Sequence, residues 1–180
     1  YQFRAAVTDT AGNVANGNVI SVVVDNTNPT AVATVTAISP DSGTSATDYL
    51  TNSAQQTVSG TFTGTLGSGE KIQVSADGGT TWVDATTSGS TWTTSSNAVT
   101  LLSGTNNLTV RTLDLAGNTT AGTGHSYTLD TVAVAGTLSL TSYTDSGSSS
   151  TDFISTDNTF NLSLTGQEAG SSVVYQKSTD

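Results

Sequence analysis

Four short motifs recur in the same order along the chain, and their spacing constrains what it can fold into. DTAGN at 9–13 returns as DLAGN at 114–118. VVVDNTNPTA at 22–31 returns as YTLDTVAVAG at 127–136, with Asp25 aligned to Asp130. DSGTSATD at 41–48 returns as DSGSSSTD at 145–152, and IQVSAD at 72–77 returns as YQKSTD at 175–180. The offset stays close to 105 residues throughout. Self-similarity at a fixed spacing means one structural unit copied along the chain. The 180 residues then divide into the C-terminal strands of one repeat (1–25), one complete repeat (26–130) and the front of a third (131–180). Only the middle unit has every strand a closed core needs, and the flanking pieces should present unpaired strand edges. The opening YQFRAAVTD reads as the middle of a strand, so the chain is expected to be a piece of a longer one.

The unit itself reads as all-β. Twelve Asp stand against two Glu, Glu70 and Glu168. Glu favours helices, whereas Asp favours turns and caps. The abundant Thr and Val suit strands, and the 18 Gly suit the turns between them. Turn signals separate alternating runs near 31–39, 55–63, 70–76, 80–86, 91–100, 106–114 and 124–130. In NNLTVRTLD, Leu108 and Val110 face one way and Thr109 and Arg111 the other. Seven short strands in about 100 residues indicate an immunoglobulin-like β-sandwich. With no cysteine there is no inter-sheet disulfide, and Trp82 or Trp92 is expected to fill part of the core instead.

Charge narrows the partners. Four basic residues against fourteen acidic ones leave a net charge of −10. Phosphate recognition needs clustered Lys and Arg, so nucleic acid is disfavoured, as is an anionic membrane surface. No apolar run reaches the roughly 18 residues of a membrane-spanning helix. A cation, a glycan or another protein surface stays compatible with the composition.

DxAGN before a final strand, VDNTNPTA as a link, DSGTSATDYLTN after the first strand and SADGGTTW in mid-repeat resemble bacterial Ig-like tandem repeats. Such repeats occur in giant surface adhesins of the RTX and biofilm-associated type. The resemblance implies an extracellular or cell-surface stalk that supports adhesion or biofilm formation. Its immediate partners are neighbouring repeats of the same chain, with a host or surface ligand bound by another domain. Calcium often stiffens the junctions of such stalks.

Calcium takes six to eight oxygen ligands, mostly from Asp, Asn and backbone carbonyls on loops. Seven-strand sandwich topology places Asp114 near the linker residue Asp25 at one end of the repeat. It places Asp41, Asp48 and Asp77 at the other end, near the next linker residue Asp130. Asp145 and Asp152 repeat Asp41 and Asp48. Like charges brought together repel by about 1 kcal/mol per pair at 4 Å in water, and more near a protein surface. These eight aspartates are therefore the expected calcium ligands. The competing reading makes each one a turn former whose side chain binds its own backbone.

Nothing in the chain points to catalysis. SADGGTTW fits the Asp-box pattern of sialidase propellers, but it occurs once per repeat, whereas a propeller needs several blades. His125 is the sole histidine, and GSGE and GTGH lack a phosphate-loop lysine. Lys71 and Lys177 fall at different aligned positions, which argues against a repeat-wide isopeptide crosslink. Two alternatives to the stalk are a glycan- or protein-binding module and an accessory domain of a secreted hydrolase. A binding module should expose aromatics at one loop end, and Tyr49 is the leading candidate.

Overall fold

The computed structural model describes residues 1–178, so Thr179 and Asp180, the end of the fourth repeated motif, lie outside the described residues. Strands and turns account for the described elements, and no helix is long and apolar enough to cross a membrane. Two compact units divide the chain, Tyr1–Thr131 and Val132–Asp180.

The first unit opens with four short strands: β1 (Gln2–Phe3), β2 (Ala6–Thr8), β3 (Val14–Asn16) and β4 (Ile20–Ser21). They fold as one long hairpin, β1 on β4 and β2 on β3. There follow β5 (Val32–Ser39), β6 (Leu50–Thr51), β7 (Gln55–Thr63), β8 (Lys71–Ser75) and β9 (Val83–Ser88). The repeat is completed by β10 (Thr91–Thr94), β11 (Val99–Thr100), β12 (Gly104–Leu113), β13 (Thr119–Ala121) and β14 (His125–Leu129).

These strands pack as an Ig-like sandwich. One layer holds β5, β7 and β10, the other β8, β12 and β14, and β9 pairs with both β10 and β8. The layers also meet at β5, where Val35 N donates to Thr123 O at 2.9 Å and Thr123 N to Ala33 O at 2.8 Å. The core follows from strand alternation. On β12, Leu108, Val110 and Thr112 are buried, and they meet Val58, Ile72, Val74 and Tyr127. Trp92 fills the centre at 2% exposure. Its indole stands over Gly60, where an added Cβ would lie 2.7 Å from the ring and run into the Thr34 carbonyl.

Most of the expected strands lie within a residue or two of their observed bounds, and two differ for local reasons. The run 91–100 divides into β10 and β11 because Ser95–Ala98 form a turn with Asn97 at φ 55°. The strand expected from 80 starts at Val83, because Asp77 binds Thr81 and holds those residues in the turn.

The second unit carries β15 (Thr137–Thr141) and β16 (Asn161–Thr165), paired with Leu138 opposite Leu164 and Leu140 opposite Leu162. The same register appears in the complete repeat, where Ala33 faces Phe62 and Val35 faces Gly60.

Candidate functional site

The upper end of the complete repeat is built around the DLAGN turn between β12 and β13. Asp114 Oδ1 accepts from the backbone N–H groups of Ala116 and Asn118, both at 2.8 Å. Its Oδ2 accepts from Asn118 Nδ2 at 2.8 Å. The Asn118 side chain is the main reason the Asp114 carboxyl titrates below its usual range. The amide has a second proton, and Asn118 Nδ2 also donates to the Asp25 carbonyl oxygen at 3.1 Å. The turn thereby grips the linker.

Two threonines continue the grip. Thr120 Oγ1 donates to Pro29 O at 2.6 Å, and Thr112 Oγ1 donates to Ala31 O at 2.9 Å. Pro29 is buried, and Asp25 Oδ1 closes its own turn through Thr27 N at 3.0 Å. Asp25 and Asp114 thus lie at one end, as expected, and an asparagine side chain joins them. The DxAGN motif singled out Asn118 without assigning it this role, and Thr112 and Thr120 had no motif to mark them.

At the lower end the loop after β5 folds back on itself. Asp41 Oδ2 accepts from Tyr49 N and Asp48 Oδ1 from Leu50 N, each at 3.1 Å. Ser42 Oγ donates to Asn52 Oδ1 at 2.9 Å and accepts from Asn52 N at 2.8 Å. Tyr49 takes a positive φ of 60° to bring these N–H groups round. The second unit copies the loop. Asp145 Oδ2 accepts from Phe153 N and Asp152 Oδ1 from Ile154 N, each at 3.0 Å, with Phe153 at φ 62°. Thr156 replaces Asn52 and keeps the backbone bond to Ser146 Oγ at 3.0 Å.

One atom in each copy stands apart. Asp41 Oδ1 and Asp145 Oδ1 are buried and have no hydrogen-bond partner. A carboxylate oxygen removed from water and left unpaired is costly. A hard cation with oxygen preference would satisfy it, so this donor fits calcium.

The remaining lower-end aspartates are engaged in other ways. Asp77 accepts from Thr81 Oγ1 at 2.6 Å, from Thr81 N at 2.9 Å and from Ser75 Oγ at 2.7 Å. These bonds, those of Thr81 foremost, hold its carboxyl down at about 2. Asp130 N donates to Thr51 O at 3.0 Å, next to the Thr128 N bond to Tyr49 O at 2.9 Å. That arrangement brings the next linker beside the Asp41–Asp48 loop. Among the described residues no three His, Asp or Glu side chains gather into a metal-holding group. Asp41, Asp48 and Asp77 are spread over separate turns, where each accepts from a nearby backbone N–H.

Aromatic exposure at this end differs from what a binding module would show. Tyr49 is 6% exposed, and its ring stacks on His125 at 3.6 Å between centroids. Trp82 lies beneath the Arg111 guanidinium at 3.9 Å and donates through Nε1 to Gly79 O at 2.9 Å. Arg111 is fixed in turn by Gln73 Oε1, at 3.0 Å from Nε and 2.8 Å from Nη2. Lys71 pairs with Asp84 at 2.8 Å.

Comparison with known proteins adds two findings. A family model described as bacterial Ig-like domain matches residues 28–131. No curated protein matches the chain.

Proposed function

The chain belongs to the bacterial Ig-like domain family, and from that premise we propose that it is a structural spacer of a surface or secreted bacterial adhesin, with calcium limiting motion where repeats meet. The gripped linker carries this reading. Bonds from Asn118, Thr120 and Thr112 reach the backbone of Asp25, Pro29 and Ala31. A linker held by side chains of the following repeat transmits orientation, whereas a free one would act as a hinge. Pro29 adds a fixed φ to the same segment.

Calcium would be held by Asp41, and by Asp145 in the next copy, through the buried oxygens that lack partners. When bound it would supply the positive charge that offsets their burial. The rest of the loop is supplied by the chain itself: Asp48 and Ser42 hold the backbone of Leu50 and Asn52 so that Asp41 stays turned inward.

NMR relaxation tests the spacer. Amides of the 1–21 hairpin and of the complete repeat should share one rotational correlation time in the wild-type chain. They should separate in the Asn118→Ala/Thr120→Val double variant. Independent tumbling of the wild-type hairpin would remove the basis for a stiff spacer.

A further inference from the structure

We propose that the complete repeat carries a binding site for a carboxylated sugar, a sialic or uronic acid residue whose carboxylate is held by Arg111. A groove of about 370 Å³ opens beside this arginine, lined by Trp82 and by Gly78, Gly79, Gly122 and Gly124. Pockets that take small ligands begin at about 300 Å³. The groove lies wholly inside the complete repeat, on a sheet face and away from the linkers at either end.

The first observation is a row of residues across four strands. Asp84, Gln73, Arg111 and Ala121 stand opposite one another on β9, β8, β12 and β13. Asp84 accepts from Lys71 Nζ at 2.8 Å through Oδ2 and from Gln73 Nε2 at 2.7 Å through Oδ1. That second bond orients the Gln73 amide, whose Oε1 accepts from Arg111 Nε and Nη2. Trp82 supports the guanidinium from one face at 3.9 Å. The arginine is thus fixed before any ligand arrives. Gln73 occupies its side-on fork and leaves the end-on fork of Nη1 and Nη2 for a carboxylate. The row ends at Ala121, whose methyl group keeps the space beside Arg111 open.

The second observation is charge. Lys71 is paired with Asp84, yet among the described residues no carboxylate pairs with Arg111, in a chain with fourteen acidic residues. The first repeat has Ala6 at the equivalent position, 105 residues earlier, so the repeat itself does not demand a cation there. The net charge of −10 repels a polyanion, whereas one carboxylate matches one arginine. The rest of the lining suits a sugar ring. Thr109 and Thr119 bring hydroxyls, the four glycines leave backbone open to close approach, and Trp82 offers apolar surface to ring C–H groups.

An NMR titration of the full chain with glucuronic acid and with N-acetylneuraminic acid tests this, set against their methyl esters and against acetate. At least one acid should shift the amides of Gly78, Gly79, Gly122 and Gly124 and the indole N–H of Trp82. Its ester should bind about tenfold or more weakly, the loss expected when hydrogen bonds to a charged group are removed. Arg111→Gln should lose as much, with a thermal melt verifying its fold; the ester comparison decides on the wild-type chain alone. No shift at these residues with either acid at tens of millimolar overturns the proposal. So does an ester that binds as well as its acid. Acetate shifting the same amides at the same concentrations as the acids would reduce the site to a bare anion contact and overturn the sugar assignment.

Discussion

Asn118 holds Asp25 across 93 residues of sequence, through one amide proton at 3.1 Å, while its other amide proton stays on Asp114 at 2.8 Å. One side chain thus closes a turn and anchors the linker that precedes the repeat. In the copy of this turn, Asn13 Nδ2 makes the bond to Asp9 Oδ2 at 2.8 Å. Replacing Asn118 by Ala removes both bonds together. The bond to Asp25 is a net contribution of about 1 kcal/mol, and the bond to the solvent-facing Asp114 carboxylate is screened by water. The thermal midpoint of the repeat should fall by about 4–8 °C, the shift per kcal/mol for a domain of this size. Asn13→Ala should leave that midpoint unchanged.

Gly60 is required by Trp92. A Cβ there would meet the indole at 2.7 Å and the backbone of Thr34, neither of which can yield without moving a strand. Gly60→Ala should cost about 3 kcal/mol, the upper range for forcing extra atoms into a packed core. Gly78 supplies the control. Its φ is +72° and nothing lies within 4 Å of a Cβ, so Gly78→Ala should cost only about 1–2 kcal/mol of backbone strain. Urea titrations of the two variants should separate them in that order.

Much of this architecture was legible in the sequence, for physical reasons that differ by element. β7 buries every second residue at Gln56, Val58 and Gly60, and β12 does so at Leu108, Val110 and Thr112, so period-two patterning locates them. β6 spans two residues and pairs in parallel with β14, and two residues carry no period. The sequence marks the aspartates as expected calcium ligands, with turn formation as the competing reading, but spacing alone does not show which oxygen each turn uses. Asp41 Oδ1 is distinguished by burial, a property of the folded loop. Thr112 illustrates the same limit. It reads as an ordinary strand threonine, and its bond to Ala31 spans 81 residues.

Asp77 should make the repeat sensitive to acid. Its carboxyl is held at about 2, chiefly by Thr81, against about 3.9 in an unfolded chain. A folded-state value below the unfolded one contributes stability that is complete above about pH 4 and is lost as pH falls towards 2. Asp9, Asp84, Asp114 and Asp157 shift in the same direction and add to the wild-type slope. In melts from pH 6 to pH 2, the gap between wild type and Asp77→Ala should be widest near neutrality and should narrow below pH 4. A gap that stays constant across that range would mean Asp77 acts through shape alone.

Asp41 provides the test of calcium. A buried carboxylate oxygen without a partner weakens the loop unless a cation sits against it, so adding the ion should show in stability. At a calcium concentration 100-fold above the dissociation constant, one site adds about 2.7 kcal/mol. That corresponds to a rise of roughly 10 °C or more in the midpoint of the complete repeat, measured in millimolar calcium against EDTA. Asp41→Ala should abolish the rise. Asp77→Ala should preserve it, because the Asp77 oxygens are engaged by Ser75 and Thr81. Superimposable wild-type melts would assign the aspartates to turn formation alone and leave the stiffness of the spacer to the Asn118, Thr120 and Thr112 bonds.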